Sequence, residues 1–143
     1  MRSAVLDSNV LVSAFLTRRG DAADLLRAAN RGAFRLYLSR EIIAETRRKL
    51  LDARHIRRRY AYADEQAAAY TRDLALRATL VTDLPPLAGV VRDPDDDVIV
   101  ACALKAWTDC LVTRDKDLLA LGTYQTIRIL APRRFLDELA QYT

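Results

Sequence analysis

Arg92-Asp-Pro-Asp-Asp-Asp-Val-Ile-Val-Ala-Cys-Ala-Leu104 is the stretch whose reading decides the fold. Asp93 stands where a helix N-cap would stand and Pro94 where the first helical residue would, the usual start signal. From Val98 to Leu104 almost no polar face remains, so the predicted helix is buried on most sides. Its first turn nevertheless carries Asp93, Asp95, Asp96 and Asp97. The partial positive charge of a helix N-terminus accounts for one or two acids. Four acids within five residues repel one another unless water or a cation screens them. By itself the stretch fits a capping motif or a metal site.

Moving outward from this helix, short apolar runs alternate with helical patterns. Downstream, Cys110-Leu-Val-Thr113 reads as a strand leading into Arg114-Asp115-Lys116-Asp117 and a short helix from Leu118 to Leu121. A further strand at Ile127-Arg-Ile-Leu130 and a last helix opened by Pro132 follow, with Phe135, Leu136 and Leu139 facing the core. Upstream, the strand Thr79-Leu-Val-Thr82 is joined to the acidic helix by a turn-rich loop, Asp83 to Gly89. It is preceded by an amphipathic helix from Tyr62 to Arg77 with Ala63, Ala67, Tyr70 and Leu74 inward. A basic stretch, Arg54 to Arg59, separates that helix from one at Arg40 to Ala53, which Ser39 caps. Arg35-Leu-Tyr-Leu38 is a strand, and Asp21 to Asn30 a helix. At the N-terminus Ser3-Ala-Val-Leu-Asp7 is a buried parallel strand, with Ser8-Asn9 capping the first helix.

This alternation predicts one α/β domain over residues 1–143, with a mostly parallel sheet of about five strands covered on both faces. A chain of 143 residues, about half of them hydrophobic, is long enough to bury a core without staples. Cys102 and Cys110 have neither zinc-finger nor redox spacing and read as buried thiols of a reducing cytoplasm. No apolar run is long enough to span a membrane, and no charged-then-apolar leader opens the chain, so a cytoplasmic location is expected. The formal charge of +4 permits a polyanionic partner.

Ligands of such sheets gather beyond the carboxyl ends of the strands. Asp7 ends the first strand and Asp115 follows the fourth, while Glu45 and Asp96 sit on helices that can reach the same edge. The other common chemistries are poorly supplied. His55, the one histidine, lies among arginines and reads as a solvated surface residue, which disfavours Ser-His-Asp catalysis and His-ligated zinc. Four glycines leave little room for a phosphate loop. Converging carboxylates without His or Cys suit Mg2+ or Mn2+, ions that activate water and neutralise charge on a phosphodiester under attack.

These residues resemble a known family. Val5-Leu-Asp-Ser-Asn-Val-Leu11 resembles the opening motif of PIN domains, the nucleases named for the PilT N-terminus. Ser39-Arg-Glu-Ile-Ile-Ala-Glu45, Asp93 to Leu104, and Val112-Thr-Arg-Asp115-Lys-Asp117-Leu-Leu119 resemble the second, third and fourth motifs, in that order. Each motif is weak alone, and the four in sequence are a strong signal. The Asp-Pro-x-Asp-Asp and Asp-Lys-Asp-Leu-Leu phrases are similar to VapC-type toxin components of toxin–antitoxin pairs. The resemblance implies a three-layer α/β/α domain and a Mg2+- or Mn2+-dependent endoribonuclease that acts on RNA. It also implies a homodimer and a protein antitoxin as partner. Carried over by position, the catalytic and metal-holding acids are Asp7, Glu45, Asp96 and Asp115. Asp95 and Asp97 are the alternatives to Asp96, and Asp97 and Asp117 are further candidate ligands. Asn9 and Thr113 stand where the family has polar site residues, beside the plainer readings of helix cap and strand-end hydrogen bond. Glu41 reads as solvated.

Arg47, Arg48, Lys49, Arg54, Arg57, Arg58 and Arg59 concentrate on and after the helix bearing Glu45. They form either a solvated face or a surface that holds RNA phosphates, with Arg48, Arg57, Arg58 and Arg59 as the candidates. Two other functions remain open. One is a non-catalytic metal- or RNA-binding protein on the same fold. The other is a phosphatase or phosphotransfer domain with Asp7 as covalent nucleophile, disfavoured because Asn9 stands where such enzymes place a second Asp.

Overall fold

The computed structural model of the chain describes residues 2–87, 89, 90 and 93–141, without the side chains of Pro94 and Asp95. Arg92, Ala88 of the predicted loop and the side chain of the alternative ligand Asp95 therefore lie outside what is described. Among those described, six strands form one sheet: β1 (Ser3–Leu6), β2 (Arg35–Ser39), β3 (Thr79–Val81), β4 (Cys110–Val112), β5 (Thr123–Tyr124) and β6 (Ile127–Leu130). Their spatial order is β3-β2-β1-β4-β6-β5. Every pairing is parallel except β5 with β6. The sequence pattern predicts five of these strands. The sixth, β5, has two residues and a tight turn to β6, too short to show a period of its own.

Among the described residues eight helices complete the order: α1 (Ser8–Leu16), α2 (Asp21–Asn30), α3 (Arg40–Asp52), α4 (Arg54–Arg59), α5 (Asp64–Arg77), α6 (Pro94–Ala106), α7 (Lys116–Leu121) and α8 (Pro132–Ala140). From β1 the chain steps through β2 to β3 in one direction, then crosses back to β4 and continues to β6 in the other. Right-handed crossovers put the helices of these two excursions on opposite faces. On one face α1 packs on α2 and α3, α3 on α5, and α2 on α8. On the other, α6 lies across β1, β2, β3 and β4, and α7 lies against β6. The result is the expected three layers.

The core explains the deciding stretch. Ile99, Val100, Cys102 and Ala103 of α6 are buried in one cluster with β-strand residues such as Val5, Leu38, Leu111 and Val112, and Ala101 is buried as well. Both thiols are buried and free, and burial pushes Cys102 up to about 12 and Cys110 up to about 11, so both are protonated at neutral pH.

Two local expectations change. The N-cap position of α1 belongs to Asp7 rather than to Ser8 or Asn9, and its side chain makes no capping bond because it is turned toward β4. Of the predicted inner face of α5, Ala67 and Leu74 are buried and Tyr70 is half-buried, whereas Ala63, just before the helix, is exposed, and Thr71 is buried beside them. Thr71 satisfies its hydroxyl internally on Ala67 O (3.2 Å) and Ala68 O (3.1 Å), so its methyl can face inward. The basic stretch at Arg54–Arg59 is a short helix, α4.

At the opposite end of the sheet from the acids, Glu138 of α8 gathers cations. It accepts two 2.7 Å bonds from Arg128 of β6 and one of 3.2 Å from Arg2. The Arg128 hydrogen bonds, helped by the charges of Arg128, Arg2 and Arg134, hold its carboxyl below the usual range, against the opposing effect of burial. A depressed carboxyl contributes stability above its unfolded pKa of about 4.3 and loses it as pH falls through the folded value. Glu138→Gln should thus cost about 1.5–3 kcal/mol at neutral pH. Urea unfolding should show the gap between parent and variant narrowing below about pH 4; a gap that persists there would assign the loss to packing.

Candidate functional site

The sheet reverses its direction of growth between β1 and β4, and ligands of open α/β sheets bind outside the carboxyl ends at such a switch. Asp7 follows β1 directly, and its N–H bonds Val112 O at 2.9 Å, which fixes it to the end of β4. It is 3% exposed. Its Oδ2 accepts a 2.6 Å bond from the Thr113 hydroxyl, and its Oδ1 a longer one, 3.4 Å, from Ser8. The Thr113 oxygen in turn accepts the Asp115 N–H at 3.0 Å. Asp115 caps α7, its Oδ1 taking the N–H groups of Asp117 (2.8 Å) and Leu118 (3.2 Å). Three residues from two distant parts of the sequence are therefore locked to one sheet edge by backbone and hydroxyl bonds.

Asp96 enters from the other face, on the first turn of α6. It is 8% exposed, and its Oδ2 is the one buried side-chain nitrogen or oxygen among the described residues without a hydrogen-bond partner. Burial first, then the charges of Asp115, Asp7, Asp93 and Glu45 in that order, push its pKa up to about 7. These repulsions locate the cluster, because Asp7, Glu45 and Asp115 must lie within electrostatic reach of Asp96 to exert them. Asp97 is also buried, at 4% exposure. Asp117 is exposed on the first turn of α7 and Glu41 exposed on α3, as expected for a solvated acid.

The donor set suits a hard divalent cation: carboxylate oxygens, no histidine or thiol, and one buried oxygen lacking any donor. Among the described residues no three acidic, His or Cys side chains are gathered tightly enough to make a ready cage.

Lys49, which sequence reasoning takes for one more surface cation, links elements that carry the candidate site. It donates to Asn9 Oδ1 at 2.8 Å and to Ser8 Oγ at 2.9 Å, and lies 3.4 Å from Glu45 Oε1. The Glu45–Lys49 spacing of four on a helix is a visible signal for a pair. Its reach to α1 is not visible, because it depends on how the helices pack. Asn9 is therefore an exposed acceptor for Lys49 and no helix cap.

The basic residues divide. Arg57 is committed internally: it pairs with Asp64 at 2.7 Å, donates to Leu50 O and Tyr62 O, and lies 4.6 Å from the Tyr62 ring centroid. Tyr62 also reaches Leu50 O and packs edge-on against Phe15, so this arginine helps fasten α4 and α5 to α3. Arg58 and Arg59 are exposed on α4, with Arg59 near the Tyr60 ring. Arg48 instead lines a recess of about 310 Å3 together with Glu41, Glu45 and Val98. It also lines an adjoining groove of about 570 Å3 between α3 and α5, with Arg40, Arg47 and Arg72 around a floor of Ile43, Ala44, Leu51 and Leu80. Among the described residues none of these four arginines makes an ion pair or a side-chain hydrogen bond.

The family model described as PIN domain matches residues 3–117. Among solved structures, a chain of the crystal structure of VapBC2 from Rickettsia felis bound to a DNA fragment from their promoter superposes with a TM-score of 0.58. The match is 14% identical and covers 89% of this chain and 96% of that one, a likeness of fold. Among curated proteins none matches the sequence.

A raised carboxyl has a definite consequence for stability. Between the unfolded pKa of about 4 and the folded value near 7, the native state holds a proton that the unfolded chain has lost. Asp96 therefore adds to stability below about pH 4 and withdraws that contribution as pH rises through about 7. Asp96→Asn should be more stable than the parent by a few kcal/mol at about pH 8 in EDTA, since a pKa difference of one corresponds to about 1.4 kcal/mol. The two proteins should converge toward pH 4, and calorimetric unfolding at both pH values would expose parallel stabilities if the charge plays no part.

Proposed function

The chain belongs to the PIN-domain family, and from that premise we propose that it is a Mg2+- or Mn2+-dependent endoribonuclease, the toxin of a type II toxin–antitoxin pair. The observation that carries the reading is Asp96: a buried carboxyl with an unpartnered oxygen, raised by burial and by acids from other parts of the chain. Charges are gathered and desolvated in this way where a cation or a reaction repays the cost.

Asp7, Glu45, Asp96 and Asp115 are the residues that would hold the ion, with Asp97 and Asp117 in support. When bound, a divalent ion supplies Lewis-acid stabilisation of the phosphodiester and activation of water. The chain's own residues supply placement. Thr113 holds the Asp7 carboxylate and the Asp115 backbone, and the N–H groups of α7 hold the Asp115 carboxylate, so neither carboxylate has to be ordered on binding. Ser8 and Asn9 receive Lys49 and keep α3, and with it Glu45, against α1. Arg48 is the residue through which substrate phosphates reach the acids, since it borders both the Glu45 recess and the arginine-lined groove. Arg40, Arg47 and Arg72 extend that path, and Arg58 and Arg59 add to it, whereas Arg57 serves α4 and α5. Such contacts supply affinity and register but little sequence choice. A homodimer and a protein antitoxin complete the proposed partnership; a small DNA-binding protein encoded by the adjacent reading frame would identify the latter.

A second reading has one observation in its favour. The absence of a tight ligand cage among the described residues suits a protein that binds RNA on this fold without cutting it. The two part cleanly in a cleavage assay on single-stranded RNA. The nuclease reading expects cleavage with Mg2+ or Mn2+, none in EDTA, and a loss of about a hundredfold or more in Asp7→Asn and Asp115→Asn. Cleavage that continues in EDTA overturns the metal role, and binding without cleavage under every metal condition favours the second reading.

The arginine path has its own test. Arg47→Ala/Arg72→Ala should weaken RNA binding uniformly across sequences and lower the log–log salt slope by about 0.7 for each phosphate no longer neutralised. Arg57→Ala should instead lower thermal stability. An unchanged slope in the double variant would return Arg47 and Arg72 to solvent-facing charge.

A further inference from the structure

We propose that Lys49 is an internal counter-ion of the acidic site, competing with a divalent cation for Glu45 and so setting how tightly the site takes the ion. The proposal rests on the reading of the acids as a cation site, and deepens it. Three oxygens face this ammonium, two as hydrogen-bond acceptors, Ser8 Oγ at 2.9 Å and Asn9 Oδ1 at 2.8 Å, and one as an ion-pair partner, Glu45 Oε1 at 3.4 Å. The two acceptors follow Asp7 directly in α1, and the ion-pair partner is a proposed ligand on the lysine's own helix. The side chain is 30% exposed. Lysines on helices ordinarily extend their charged ends to water, and exposed pairs of this spacing contribute little. Here the charge is drawn in and fixed from both sides, while Arg47 and Arg48 beside it make no side-chain bond among the described residues.

Two consequences of that placement oppose each other. Fastening Glu45 favours a cation by sparing it the ordering of one side chain, an effect limited by rotamer entropy. A fixed positive charge on the same carboxylate repels the incoming ion in proportion to the product of the charges and the inverse of their separation. Against a divalent ion in a half-buried site the repulsion is the larger, so Lys49 lowers cation affinity. It also balances charge within the protein: without it Glu45 faces the Asp7, Asp96 and Asp115 group with its own partner gone. Lys49 therefore acts through Glu45 as a positioning and charge-balancing residue.

The test is titration with MnCl2 by calorimetry, together with thermal unfolding in EDTA, on the parent, Lys49→Met, Lys49→Gln, Lys49→Arg and the double variant Lys49→Met/Glu45→Gln. Lys49→Met and Lys49→Gln should bind Mn2+ about tenfold tighter or more. Lys49→Arg, which keeps the charge, should stay near the parent. In EDTA both neutral variants should melt lower than the parent, and the added Glu45→Gln should restore the loss. Weaker Mn2+ binding in the neutral variants would make Lys49 only a strut for Glu45, and unchanged binding would make it a bystander. Either result overturns the competition while parental binding keeps the cation-site reading. A parent that takes no Mn2+ overturns that reading and the competition with it. An EDTA loss that Glu45→Gln does not repair overturns the charge balance.

Discussion

One hydroxyl, that of Thr113, joins the two strand ends from which the site is built. It gives its proton to Asp7 Oδ2 and takes the Asp115 N–H on its oxygen, using both capacities of a single atom. The threonine is fully buried, and its own N–H is bonded to Leu130 O of β6. Three neighbouring strands thus meet at this residue, with β1 contributing Asp7, β4 running into Thr113 and β6 anchoring it. A serine could keep the bonds; a valine of the same shape would leave the Asp7 oxygen and the Asp115 N–H without them. Placement of the first and last acids is in this way a property of the sheet, and the remaining acids are brought to it by helices from its two faces.

Those helices bring charge into a place that disfavours it. Asp96 rides on a helix whose remaining turns are core, so the apolar packing that holds α6 also draws the carboxyl out of water. Each of the other acids adds repulsion. The surroundings answer with cations in two places. Lys49 on α3 pairs with Glu45 and bonds Ser8 and Asn9 beside Asp7, and the arginines of the α3–α5 groove lie farther along the same helix pair. Anionic at the centre and cationic at the border is the arrangement a polyanion with a cation beneath it would meet.

Much of this was legible in the sequence for identifiable reasons. Parallel strands covered on both faces are continuous apolar runs, and Ala4–Leu6, Leu36–Leu38 and Cys110–Val112 have that form. Helix starts carry chemical punctuation, which is why Ser39 before α3 and Pro132 in α8 mark their boundaries. The acids stand out in the sequence because buried strand ends and an apolar helix offer so few other reasons for a carboxylate. Side-chain partnerships were not. Whether an arginine packs under Tyr62 or lines a groove is decided by helix–helix geometry that local spacing does not encode, so Arg57 and Arg48 looked alike. The burial of Thr71 was hidden for a related reason: a threonine that back-bonds to its own helix behaves as an apolar residue, and composition counts it as polar.

The single helix α6 carries both the deepest apolar packing and the acid that strains it, which has a consequence for how such a chain ages in a genome. Changes that neutralise Asp96 should relieve repulsion without disturbing Ile99, Val100 or Ala103, and should then meet no resistance from folding. Only selection on what the site does can keep the carboxylate. Once that selection lapses, drift should silence the position early while the surrounding core persists. A descendant that has lost its acid would then be a well-folded, hardier protein, its history written in one missing charge.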